Sequence, residues 1–197
     1  MRFSNCFASR VSAYAFALAL AVPVLYSRIA LAAGKGHAAH EHGVAIVNIV
    51  GEGNSATIQL ESPSDSIYGF EHEAKKPADV KRRDVSIEKL KANADKMFVL
   101  DPSLGCKLSS TDIKPFVSEA KESKEEDTKG HKHHKEGTHS EVHATFKFEC
   151  SKPVAGTTLK FAARAYFKSL RTLKVQALSG EKQSGSTIKN DKGMVQL

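Results

Sequence analysis

Most of the motifs that announce an enzyme are missing from this chain. It has no glycine-rich phosphate loop, no nucleophile elbow and no Cys-x-x-Cys pair, which leaves phosphoryl transfer, activated-serine chemistry and dithiol redox without a bearer. No lysine or arginine block interleaved with aromatics occurs either, so the footprint of a nucleic-acid surface is absent. The formal charge of +7 misleads: Arg2, Arg10 and Arg28 supply three charges with no acid before residue 34, and the remainder carries 26 basic against 22 acidic side chains, or +4. In that remainder the signs alternate, as in "AKESKEEDTKGHKHHKEG". Methionine is scarce as well; past residue 33 only Met97 and Met194 remain, too few for the thioether cluster that cuprous copper prefers.

The N-terminus carries what the rest lacks. Arg2 and Arg10 precede "AYAFALALAVPVLY", an apolar run short for a bilayer span and interrupted by Pro23, Ser27 and Arg28, and Ala30 to Ala33 offer small residues to a signal peptidase. We expect a cleaved secretory signal over residues 1–33 rather than a membrane anchor, with no lipid attachment because no cysteine follows the apolar core. Cys6 leaves with the signal. Cys106 and Cys150 then remain in an oxidising compartment, where a disulfide is the default. Residues 34–197 are enough for one ordinary domain.

Residues 43–62 read as a hairpin around Gly51, Gly53 and Asn54, with Ala56, Ile58 and Leu60 alternating against polar neighbours. "SPSDSIYGFEHEAKKP" reads as a long loop. Val80, Ile87, Leu90, Ala94 and Met97 then fall on one stripe of a helix over 78–98. Strands follow from Cys106 to about Val117, at 142–150, along the row Leu159, Phe161, Ala163, Ala165 and Phe167, through "TLKVQAL", and near "MVQL". The fold class expected is α+β, a mainly antiparallel sheet or sandwich with one amphipathic helix packed on it. Residues 118–139 are dense in charge and poor in apolar side chains, and we expect a mobile loop there, tied at its base by the disulfide.

Five of the nine histidines lie within "GHKHHKEGTHSEVH". Imidazole is the commonest ligand for zinc, and His131, His133 and His134 on a tether would bind it as a secondary, weakly discriminating set. The sharper signal is at the loop's edge. His139, Glu141 and His143 share strand parity and should project from one face. His40 and His42 in "HAAHEHG" and His72 beside Glu71 in "GFEH" are further candidates; were the fold to bring these three places together, it would build a metal site on a rigid sheet. Glu71 and Glu141 are expected as ligands or their supports. "HSEVH" spaces two histidines like a zinc-protease helix, but its glutamate sits one position late and the alternation demands a strand.

The motifs "HEHGVAIVNIVGEG", "LESPSDSIYGFEH", "HSEVHATFKFEC" and "LKVQALSGEKQSG" together resemble the ZrgA-like family of periplasmic zinc-binding proteins, over nearly the whole secreted part. The resemblance implies a periplasmic accessory to a zinc ABC importer, partnered with the importer or its substrate-binding protein. It also implies metal-binding roles for His42, His72, His139 and Glu141, whereas His40 and His143 rest on geometry alone. The expectation is a monomeric zinc-binding protein, not an enzyme, that buffers zinc and assists its delivery. The rivals are a hydrolase with an open zinc position and a divalent copper or nickel protein.

Overall fold

The computed structural model describes residues 41–118, 139–189, 191 and 193–197. The expected signal, His40 and the loop histidines His131, His133 and His134 lie outside them. Chain order begins with strands β1 (Val44–Glu52) and β2 (Ser55–Pro63), a short helix α1 (Ser64–Tyr68), helix α2 (Pro77–Ala92), one helical turn α3 (Ala94–Met97) and strand β3 (Phe98–Leu100). Strands β4 (Lys107–Ser118), β5 (Ser140–Glu149) and β6 (Thr158–Phe161), a turn α4 (Ala163–Tyr166), and strands β7 (Thr172–Ser179), β8 (Lys182–Lys189) and β9 (Met194–Gln196) complete it. Among the described residues no helix is long and apolar enough to cross a membrane.

The period-two patterns decide the architecture. β1, β2, β5 and β7 each alternate buried and exposed positions, so each contributes one apolar row to a common face. Six strands join in the order β4-β5-β2-β1-β7-β8; β1 pairs β7 in parallel, and the other neighbours are antiparallel. A second antiparallel sheet, β3-β6-β9, covers the apolar face. Phe98 of β3 is the hinge of that packing, its ring 5.6 Å from Phe146 of β5 and edge-on to Phe161 of β6. The expected hairpin is β1–β2, whose turn places Gly53 at φ +54°.

Three expectations need correction. The helix does not run unbroken to Phe98: it ends at Ala92, where the Asn93 side chain donates back to the Lys89 carbonyl. Leu90, Ala94 and Met97 are buried as the stripe required, but Val80 and Ile87 are only half covered. The row from Leu159 to Phe167 is a strand only as far as Phe161. Ala163 and Phe167 stay buried because residues four apart also share a helical face, while Ala165 turns outward; Asp191 accepts from the N–H groups of Arg164 and Ala165 and fixes that turn. Finally, Cys106 and Cys150 are bonded, but at the opposite end of the β4–β5 ribbon from the connection 119–138. The cysteines flank Lys107 and Glu149, which pair with each other, whereas Ser118 pairs with Ser140. Some ten residues of strand, about 33 Å, separate the disulfide from the loop it was expected to tie.

Candidate metal centre

Several strand ends meet at one rim of the larger sheet. β1 and β7 begin there, β2 ends there, and β5 begins beside the end of β4. His42 stands just before β1 and His139 just before β5, while Asp65 lies in the first turn of α1, which follows β2, and Glu71 lies three residues past its end. α1 is held down by Tyr68, whose buried ring sends its hydroxyl to the Pro115 carbonyl of β4. The left-handed Gly69 ends the helix and turns the chain back toward the rim.

The side chains converge. His42 Nδ1 lies 2.6 Å from Asp65 Oδ2 and 3.6 Å from Glu71 Oε1, and one ligand atom from each of these three residues falls within 4.8 Å of the others. The second oxygen of Glu71 lies 2.7 Å from His139 Nδ1. Glu71 therefore links two imidazoles that are 97 positions apart in sequence, one through each carboxylate oxygen. The histidines are accessible, 60% and 52% exposed, while Glu71 is only 16% exposed.

Buried hydroxyls aim the Asp65 carboxylate and anchor the Glu71 backbone. Ser66 accepts from the Gly43 N–H and donates to Asp65 Oδ1, which leaves Oδ2 to face His42. Ser140 donates to the Glu71 carbonyl. His42 is set from the other side: Arg171 donates to its carbonyl, and Gly43, at φ +81°, accepts from the N–H groups of Arg171 and Thr172. The hydrogen bond to Asp65, then attraction to Asp65 and Glu71, raise the His42 pKa above 6.5, against slight burial and the Arg171 charge. The same carboxylates that favour the protonated imidazole would favour a cation in its place.

The remaining sequence candidates lie apart from this cluster. His72 stacks on Phe70 and points its Nε2 to Asp79, 3.2 Å away. Glu141 and His143 face outward from β5, as parity required, and contact each other at 2.7 Å. Asp65 escaped the sequence reading. It sits in a stretch read as a loop, seven residues from the nearest histidine; the signal was an acid at the first turn of a short helix directly behind a strand.

The group of His42, Asp65 and Glu71, one imidazole and two carboxylates, is compatible with zinc, which takes nitrogen and oxygen ligands. No thioether joins them: Met97 is fully buried in the core and Met194 lies on β9. Residues 39–197 match the family model described as ZrgA family zinc uptake protein. The chain belongs to this family. No curated protein matches it. Membership in the ZrgA family gives the chain a role in zinc uptake, and the match begins three residues before His42 and spans the whole rim on which the cluster sits.

Proposed function

We propose that the chain is a periplasmic zinc carrier, secreted by removal of residues 1–33, whose residues 34–197 capture zinc and pass it to an ABC importer or its substrate-binding protein. Its primary ligands are His42, Asp65, Glu71 and His139. The observation that carries this reading is Glu71, a half-buried carboxylate with one oxygen turned to each of two accessible imidazoles. Preorganised ligands bind tightly because less side-chain freedom is lost on binding. Exposed imidazoles suit transfer, since a partner's ligands can reach a cation that is not enclosed. His131, His133 and His134, on the connection between Ser118 and His139, would add weak sites, and His40 precedes His42 by two residues in sequence. His72, engaged with Asp79, would meet the cation only after breaking that contact.

A hydrolase would need a carboxylate free to act as general base beside the metal. Both carboxylates here contact imidazoles, and the adjoining groove of about 260 Å³ is lined by His42, Gly43, Asp65, Ser66, Ser169 and Arg171, so that Asp65 is the one acid of that groove. Uptake is therefore the better reading. The test is a zinc titration against a chelator of known affinity. His139→Ala and Glu71→Gln should each weaken the tight class at least tenfold, about 1.4 kcal/mol, and His72→Ala should leave it within twofold. Equal losses from His72→Ala and His139→Ala would remove the assignment.

A further inference from the structure

Glu141 and His143 pair outside the primary cluster. Their side chains remain 13% and 35% exposed, with His143 Nε2 2.7 Å from Glu141 Oε2. Both rise from the outward face of β5, whose alternate positions Ser140, Val142 and Ala144 are buried against the core. The sheet register sets Glu61 of β2 directly across from His143 on one side and Lys114 of β4 on the other. Directly opposed residues in antiparallel strands have Cβ atoms about 5 Å apart, so one rotamer change brings the Glu61 carboxylate to the imidazole that Glu141 already meets.

We propose that Glu61, Glu141 and His143 form a second, weaker station for a divalent transition-metal cation, one step along β5 from the cluster at the rim. The proposal deepens the zinc-carrier reading and rests on it for its purpose, though not for its chemistry. His139, Glu141 and His143 share parity, and consecutive outward side chains on a strand stand about 7 Å apart. A cation released by His139 thus finds the next carboxylate within side-chain reach. One imidazole and two carboxylates, with water completing the shell, make an adequate but open zinc site.

Lys114 sets its strength. An ammonium beside the imidazole opposes a second positive charge, and only one nitrogen ligand is present, so the station holds the ion less firmly than the rim does. A path that passes an ion onward needs stations weak enough to be left. Removing this charge by Lys114→Ala should tighten the second station about fivefold, the effect of a neighbouring unit charge screened nearly as in bulk water, and leave the first unchanged.

The test is anomalous diffraction at the zinc edge from crystals of the purified chain soaked in graded zinc, with chelator competition in solution on the same variants. The expected result is a peak among His42, Asp65, Glu71 and His139 at low zinc, and a second among Glu61, Glu141 and His143 at higher zinc. His143→Ala and Glu61→Gln should remove the second peak only. A filled first site with no second peak at saturating zinc would overturn the station and spare the carrier reading. A second peak with an empty rim would do the reverse. A second peak that survives Glu61→Gln at unchanged occupancy would strike the proposed ligand set.

Discussion

Replacing Gly43 by alanine tests how the rim holds His42. Gly43 adopts φ +81°, where a residue with a β-carbon loses about 1–2 kcal/mol. The added carbon would stand 2.6 Å from Arg171 Nε and 2.8 Å from the Ser169 carbonyl oxygen. The arginine can swing aside, but it then gives up its hydrogen bond to the His42 carbonyl. The Ser169 oxygen belongs to the backbone and must be displaced. Gly156 supplies the control: its φ is +78° and nothing lies within 4 Å of the position its β-carbon would take. Gly156→Ala should carry the backbone term alone, about 2–8 °C in Tm at roughly 2–4 °C per kcal/mol for a domain of this size. Gly43→Ala should lower Tm further, and because His42 moves with Gly43 it should also weaken tight zinc binding at least tenfold, which is about 1.4 kcal/mol. Scanning calorimetry of the metal-free proteins and chelator competition at pH 7.5 read the two effects separately. Matching losses of Tm in the two variants, with unchanged zinc affinity in both, would refute the idea that Gly43 positions the ligand.

Three further outcomes follow from the same geometry. Because the folded-state pKa of His42 is raised, its protonation contributes stability that is fully present below about pH 6.5 and is lost as pH rises through the raised value. Zinc must displace that proton, so apparent affinity should climb up to about tenfold per pH unit until His42 has titrated, and chelator competition between pH 5.5 and 8 should show a slope that His42→Ala flattens. Reduction of the disulfide, which spans 44 residues, should cost about 4 kcal/mol in the chain-entropy model; calorimetry should find this loss while zinc affinity of the folded protein stays unchanged, since the cysteines sit at the far end of β4 and β5. Deleting residues 121–137 should lower zinc stoichiometry in a calorimetric titration yet keep the tight class, because Ser118 and Ser140 already pair without the deleted residues.

Where one interaction governs a segment, the sequence was readable. Val142, Ala144, Phe146 and Phe148 alternate with polar residues and form a strand with one buried face; the same parity put His139, Glu141 and His143 on the other. Where two interactions compete, it was not. Ala163 and Phe167 satisfy a strand and a helical turn alike, and only Asp191, 27 positions from the residue it caps, decides between them. The parallel pairing of β1 with β7 brings Arg171 to His42 across 129 positions, and no local pattern carries that. The cluster was half legible for the same reason. His42 and His139 advertise themselves as histidines beside strands, and Glu71 adjoins a histidine, but Asp65 owes its place to a helix too short to leave a periodic trace.

The disulfide and the histidine-rich connection occupy opposite ends of the β4–β5 ribbon, and this has a bearing on inheritance. The ladder between Ser118 and Ser140 closes the gap on its own, so residues 119–138 join two points that the sheet already holds together. Lengthening such a connection costs only about 0.6 kcal/mol per doubling. Histidines can therefore be gained or lost there over generations with little consequence for folding. The rim has no such freedom, because its four proposed ligands come from three separate strand ends fixed in register. If the chain carries zinc as proposed, how much it carries and how tightly it holds the first ion are thus free to drift apart, one set by a tract that tolerates revision and the other by a sheet that does not.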